Sequence, residues 1–287
     1  MTGNLKDYLS NYLNDTITKV TPVSGGDIST AYCITTKNNL YFLKTNGAPN
    51  AMAMFQKETH GLKYIAKTNT IKTPQVIACD NFEKEAFLLM EFIESKQAIR
   101  EDYNALGEQL AQLHKCSAEH FGLIGNNFIG SLPQSNTTHA SWVDFYTHER
   151  LVPQLQLAKQ KGLIQDSECP PTAQIKEKLN PYFANIKPSL LHGDLWGGNY
   201  LISKAGDPYL IDPAVYFGHH EVDIAMTKLF GGFNTTFYES YHTYFPLEDN
   251  TSHRIKIYQL YYLLVHLNMF GSSYYSSVAS ILKKFSA

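Results

Sequence analysis

Leu191-His192-Gly193-Asp194-Leu195-Trp196-Gly197-Gly198-Asn199-Tyr200 contains the pattern His-x-Asp-x-x-x-x-Asn, and Ile211-Asp212-Pro213 follows with Asp212 eighteen residues after Asp194. Transfer of phosphate from ATP to a hydroxyl needs three polar groups at such spacings. One carboxylate positions and deprotonates the attacking hydroxyl, an amide oxygen binds Mg²⁺, and a second carboxylate binds Mg²⁺. Asp194, Asn199 and Asp212 can fill these roles in that order. Around them, Pro188 to Leu191 is a short apolar lead-in, and Tyr200 to Ser203 with Pro208 to Ile211 reads as a hairpin-like pair about Gly206-Asp207. The expectation is that Asn199 and Asp212 stand at strand ends facing one cleft. Asx residues often merely satisfy the backbone of their own turn, but the strand context favours the chemical role for Asp194 and Asn199. His192 is different: phosphoryl transfer requires no imidazole there, and a hydrogen-bonded structural histidine is expected.

The N-terminal third offers the rest of a nucleotide site. Val20 to Val23, Ile28 to Thr35 and Leu40 to Thr45 read as consecutive strands, joined by Ser24-Gly25-Gly26-Asp27 and by an Asn38-Asn39 turn. Gly25 and Gly26 would let backbone amides approach phosphate oxygens. Lys44 closes the third strand, and Glu58 lies fourteen residues on in an expected helix from Asn50 to Lys67. The lysine suits the nucleotide phosphates and the glutamate suits holding it, against the plainer reading of an exposed Lys and a helix-surface Glu. Two more strands, Pro74 to Cys79 and Ala86 to Ile93, flank a polar turn at Asp80 to Lys84. The exit of the last one, Glu91-Phe92-Ile93, is either a connector offering its backbone to adenine or an ordinary strand end.

Gly-Gly-Asp-Ile-Ser, Tyr-Phe-Leu-Lys44, Leu-Leu-His-Gly-Asp-Leu-Trp-Gly-Gly-Asn199 and Ile-Asp-Pro-Ala-Val-Tyr-Phe-Gly-His-His-Glu-Val-Asp-Ile-Ala-Met226 together resemble the fructosamine kinase (ketosamine 3-kinase) family nearly end to end. Phe121-Gly122, Asn126 to Gly130, Pro133 to Asn136, Phe230 to Phe233 and Arg254 extend the likeness. The resemblance implies an α+β, bilobal protein-kinase-like fold, with a nucleotide-binding lobe over 1–93 and a mostly helical lobe over 94–287. It implies ATP and Mg²⁺ as cofactors and phosphorylation of the sugar C3 hydroxyl of a ketosamine, free or on a glycated protein. The roles implied are Asp194 as base, Asn199 and Asp212 as metal ligands, Lys44, Glu58, Gly25, Gly26 and residues Glu91, Phe92 and Ile93 for ATP, and Trp196 against the acceptor. Two positions depart from the pattern: Asp27 stands where many relatives carry cysteine, and His220 where they often carry arginine.

Other functions fit less well. No lysine stands two residues after Asp194, only eight residues separate Asp212 from Glu221, and no Ala-Pro-Glu follows, so there is no room for the long activation segment of a protein kinase. Aminoglycoside, choline and homoserine kinases share a similar loop and form the alternative; Asp-Leu-Trp and Asp-Pro-Ala-Val-Tyr favour ketosamines. A nucleotide-binding regulator would be expected to lack Lys44, Asp194, Asn199 or Asp212, and all are present.

Composition agrees with a folded enzyme of 287 residues: 44% hydrophobic, 17% charged, net charge -2. Near-neutral charge gives no reason to invoke nucleic acid. Cys33, Cys79, Cys116 and Cys169 are far apart and form no Cys-x-x-Cys, which suggests reduced thiols. The N-terminus lacks the order of a signal peptide and reads as an amphipathic helix with Leu5, Leu9, Tyr12 and Leu13 on one side. Tyr258 to Phe270 is too short and polar to span a bilayer, so no membrane partner and a cytoplasmic location are expected. Beyond Glu94, helices are expected over Tyr103 to Cys116, Ala140 to Gly162, Thr172 to Ala184, Glu221 to Phe230, Thr235 to Tyr244, Ser252 to Phe270 and Ser273 to Phe285. The 19 tyrosines and 16 phenylalanines are mostly core side chains at helical spacing, with Trp196 the exception.

Overall fold

The computed structural model describes residues 1–23 and 29–286, with the side chain of Ser286 left aside. It divides into two compact units, Met1–Asp102 with Tyr200–Asp212, and Tyr103–Asn199 with Pro213–Ala287. Among the described residues no helix is long and apolar enough to cross a membrane.

The first unit is built on a five-stranded antiparallel sheet of β1 (Lys19–Val23), β2 (Thr30–Thr35), β3 (Leu40–Asn46), β4 (Val76–Phe82) and β5 (Glu85–Glu91), ordered β1-β2-β3-β5-β4. Side chains alternate across a strand, and both faces here are covered. On one face, helix α1 (Gly3–Leu13) sets Leu5 and Leu9 against Ile34, Leu43, Phe87 and Leu89. On the other, α2 (Ala51–Ala66) sets Phe55 and Leu62 against Ala86, Leu88 and Met90. This explains the unbroken apolar run of β5, whose successive residues serve different helices. Complete burial of Leu5 and Leu9 stabilises the unit by about 1.5 to 3 kcal/mol each. Tyr12 does not join them and is 53% exposed, whereas Leu13 packs against the cluster partly buried.

The sheet differs from the sequence expectation at the β4-β5 hairpin. β4 runs on through Asp80 to Phe82, and the chain reverses only at Glu83, which takes a positive φ of 53°. The first unit also continues past residue 93, the boundary expected from chain order. Tyr200–Ser203 pairs antiparallel with Pro208–Leu210 and also with Ser95–Lys96, so the hairpin following the catalytic-type loop groups with the N-terminal sheet unit.

The second unit is mostly helical and centres on the helix Thr251–Phe270, which is buried nearly all round. Its tyrosines are core residues with polar handles. Tyr258 bonds Trp142 and His219, Tyr261 bonds Gln134, and Tyr262 bonds the Gly193 carbonyl. The continuous helix expected over Ala140 to Gly162 is instead Trp142–Phe145 and Val152–Gln160 joined by a π-helical turn, Tyr146–Leu151. Asn127–Ile129 and Leu132–Gln134 pair as a short hairpin. The four cysteines are free thiols.

Candidate active site

Lys44 lies on β3 opposite Leu88, one residue after Leu43, which pairs with Leu89. Period-two alternation therefore turns Lys44 to the face covered by α2. Phe55, Glu58, Leu62 and Ile65 follow helical spacing on α2 and share that inner stripe. Lys44 Nζ donates to Glu58 Oε1 at 2.7 Å and also pairs with Asp212 Oδ1. Asp212 ends the segment after the Pro208–Leu210 strand and takes a left-handed φ of 55°, a conformation that aspartate tolerates better than most residues. One ammonium thus serves two carboxylates. Burial would lower the pKa of Lys44, but the charges of Asp212 and Glu58 outweigh it and raise it. Burial pushes Glu58 up to about 8, with Lys44 opposing and Asp212 adding to the rise. The Asp212 side chain is 38% exposed, against 15% for Glu58, so Asp212 is the carboxylate better placed to accept a ligand from outside.

The expected adenine connector is partly committed to the sheet. Glu91 is the last residue of β5; its amide donates to the Gln75 carbonyl at 2.8 Å and its carboxylate accepts the Gln75 amide. Phe92 and Ile93 lie past the ladder. Gly25 and Gly26, with Asp27, lie outside the described residues.

In the second unit, the loop holding Asp194 leaves the strand Ser189–Leu191, which pairs with Tyr216–Gly218. Gly193 has φ +84°, and a Cβ there would lie 2.2 Å from the Ala214 carbonyl oxygen, so only glycine fits. The Asp194 amide donates to His192 Nδ1, so the fully buried His192 serves the loop's structure. Asn199 Nδ2 donates to the Asp194 carbonyl at 2.8 Å and to its Oδ2 at 3.3 Å. That turns the Asn199 amide hydrogens toward Asp194 and leaves Oδ1 as the hard-oxygen end of the side chain. Taken one by one, Asn199 in the second unit offers an amide oxygen and Asp212 in the first a carboxylate, each a hard-oxygen donor whose chemistry fits Mg²⁺. Trp196 is 42% exposed, and its indole lies over Gly198, where a Cβ would come within 2.3 Å of the ring. A side chain at position 198 would therefore displace the indole.

Two residues that the sequence reading left without a role hold this loop. Asp223, fully buried in the helix Glu221–Phe230, accepts the amides of His192 at 2.8 Å and Gly193 at 2.9 Å. His114 Nε2 meets the same carboxylate at 3.0 Å, and His114 Nδ1 meets the Tyr241 hydroxyl at 2.7 Å. The available signal was an acid inside an apolar helical run, where burial demands a partner. His219, His220 and Glu221 bring potential ligand atoms within 4.8 Å of one another, yet each is engaged. Glu221 is held by Arg254 at 2.6 and 2.7 Å, while His219 and His220 meet Tyr258 and Tyr241. Burial holds both histidines well below their usual range. His220 thus continues a buried hydrogen-bond chain at the position where an arginine was expected to be common.

Comparison with known proteins identifies the family. Residues 1–287 match the family model described as fructosamine kinase. The probable ketoamine kinase of Lactiplantibacillus plantarum is 38% identical over 282 residues, covering 98% of this chain and 99% of the relative. The chloroplastic protein-ribulosamine 3-kinase of Oryza sativa subsp. japonica is 40% identical over 272 residues, covering 93% and 78%. Among solved structures, a protein of Haemophilus somnus assigned as a fructosamine-3-kinase superposes with a TM-score of 0.87 at 30% identity, covering 98% of this chain and 96% of the other. An aminoglycoside phosphotransferase superposes with a TM-score of 0.63 at 14% identity, covering 99% and 98%, a likeness of fold alone. The α+β fold is the protein-kinase-like one, and the chain belongs to the fructosamine kinase family.

Proposed function

We propose that this protein is an ATP-dependent ketosamine 3-kinase, transferring the γ-phosphoryl group of ATP to the sugar C3 hydroxyl of a ketosamine of the fructosamine or ribulosamine type. Family membership over the whole chain and the ribulosamine 3-kinase relative at 40% identity support the substrate class. The observation that carries the reading is the loop in which Asp194 and Asn199 are hydrogen-bonded to each other beside an exposed tryptophan.

Asp194 orients the acceptor hydroxyl and takes its proton as the oxygen attacks phosphorus, with ADP as the leaving group. Lys44, steered by Glu58, binds nucleotide phosphate, and the backbone of Phe92 and Ile93, past the ladder that holds the Glu91 amide, would meet the adenine. Asn199 and Asp212 would hold Mg²⁺, which supplies neutralisation of phosphate charge. Trp196 offers an apolar face to the sugar ring. A phosphate at C3, beside the C2 ketone, makes the adduct prone to elimination that frees the amine, so the reaction serves deglycation. Phosphorus NMR of the protein with Mg·ATP and fructose-, ribulose- or erythrulose-derived amines tests the reading: a new phosphomonoester signal is expected with at least one of them, and its absence from all three would overturn the assignment.

A further inference from the structure

The segments Asn126 to Gly130 and Pro133 to Asn136 have no place in the phosphoryl-transfer machinery, yet their side chains are among the most buried polar groups of the second unit. Asn127, Gln134 and Asn136 are 7%, 2% and 0% exposed. Asn136 meets Arg150, which is 0% exposed and, among the described residues, forms no salt bridge with any carboxylate. Its guanidinium instead donates to the carbonyls of Ser135 at 2.5 Å and Glu149 at 2.8 Å and to Asn136 Oδ1 at 2.7 Å. It also stacks 3.9 Å above the Tyr216 ring and 4.6 Å from Phe145. Burying a cation without an acid is costly, and these acceptors offset part of that cost, with Nε left without a hydrogen-bond partner. Arg150 lies in the π-helical turn Tyr146–Leu151, and such turns are frequent at functional sites.

From Arg150 the bonds lead to the catalytic-type loop. Asn136 Nδ2 donates to Asn127 Oδ1 at 2.9 Å, and Asn127 Nδ2 donates to the Val215 carbonyl at 2.9 Å. Gln134 Nε2 donates to Asn127 Oδ1 at 2.8 Å and to the Ala214 carbonyl at 3.4 Å, while Tyr261 fixes its Oε1 at 2.5 Å. Ala214 in turn donates its amide to the His192 carbonyl at 2.8 Å. That bond lies two residues along the chain from Asp194 and two from Asp212. Tyr216, under the guanidinium, has a ring atom 3.4 Å from where a Gly193 Cβ would stand.

We propose that Arg150, with Asn127, Gln134 and Asn136, is a positioning relay that sets the register of Ala214 against His192 and thereby the placement of Asp194 for phosphoryl transfer. The inference rests on the kinase reading above. A side chain that merely held the fold together would affect melting; one that positions Asp194 affects turnover in the folded protein. Displacement of a reacting group by about 1 Å costs on the order of a hundredfold in rate.

The test uses the full chain with Arg150→Met, Arg150→Lys and Tyr261→Phe, the last removing only the hydroxyl on Gln134. For each, kcat with Mg·ATP and a ketosamine, affinity for a non-hydrolysable ATP analogue without acceptor, and hydrogen exchange of peptides over 190–196 and 212–217 are measured. Arg150→Met is expected to lower kcat about tenfold or more, with nucleotide affinity within about twofold and faster exchange confined to those two peptides. Arg150→Lys is expected not to restore kcat, since an ammonium cannot reproduce the planar fork. Tyr261→Phe should show a smaller loss in the same direction. A folded Arg150→Met protein with normal kcat, restoration by lysine, or loss of nucleotide binding in proportion to kcat would overturn the relay. Should Arg150→Met fail to fold, Tyr261→Phe decides, and unchanged kcat and exchange would overturn it. A wild-type protein inactive on ketosamines would sink the functional reading instead, while the exchange pattern would still judge the relay.

Discussion

The carboxylate of Asp223 accepts the main-chain amide of His192 at 2.8 Å across 31 residues of sequence. A helix from late in the chain thus fixes the loop on which the proposed base stands. Two buried amides and His114 depend on that one side chain. Asp223→Ala leaves them unsatisfied and is expected to lower stability by about 3 kcal/mol or more, read as a fall in the urea midpoint. Asp223→Asn keeps one oxygen acceptor and is expected to fold with a smaller loss but reduced kcat.

Asp194→Asn is expected to abolish turnover while leaving folding and nucleotide binding intact, because the carboxylate acts on the acceptor. Removal of a positioned base lowers the rate by about a hundredfold or more. Steady-state kinetics beside nucleotide titration checks both halves, and near-normal turnover in a folded variant would refute the role.

Asn199→Ala and Asp212→Ala are each expected to weaken Mg²⁺-dependent activity, Asp212→Ala more severely, because a carboxylate both binds a hard cation and neutralises charge. Higher Mg²⁺ should partly restore Asn199→Ala. Activity measured across a Mg²⁺ titration checks this, and wild-type turnover in the presence of a chelator would contradict it.

The crowding of Glu58 and Asp212 about Lys44 makes stability depend on pH. Burial raises Glu58 to about 8 in the folded protein, above the carboxyl group's ordinary value of 4.5. The folded state therefore holds the extra proton between these values, so this contribution is fully present below 4.5 and is lost as pH rises through about 8. The slope is at most about 1.4 kcal/mol per pH unit for one proton. Glu58→Gln should flatten the decline in the nucleotide-free protein, as read by denaturation at several pH values. An unchanged profile would show that Glu58 does not carry it.

Trp196→Ala is expected to reduce acceptor kcat/KM by about tenfold to a hundredfold, equivalent to roughly 1 to 3 kcal/mol for one aromatic contact, with little change in ATP affinity. Gly198→Ala offers an independent check, since its methyl group would displace the indole from its seat. The two variants should share the same kinetic phenotype; weakened ATP binding with intact ketosamine kinetics would place the acceptor elsewhere.

The sequence by itself determined the parts whose physics is local. Strand alternation in Leu40 to Thr45 and helical spacing in Ala51 to Ala66 were enough to bring Lys44 and Glu58 to one face, and the turn chemistry of residues 193–199 was enough to bring Asn199 to Asp194. Tertiary structure alone decided what holds those parts. Asp223, His114 and Arg150 look unremarkable along the chain because a buried polar group announces its role only through its partners, here 30, 109 and 14 residues away. The π-helical turn that carries Arg150 is also hidden, since one extra residue in a turn changes the backbone hydrogen bonding and not the composition of the stretch. The pairing of Tyr200–Ser203 with Ser95–Lys96 was likewise hidden, because a two-residue strand carries too few side chains to show a period, and its register is set by main-chain hydrogen bonds that any sequence can make.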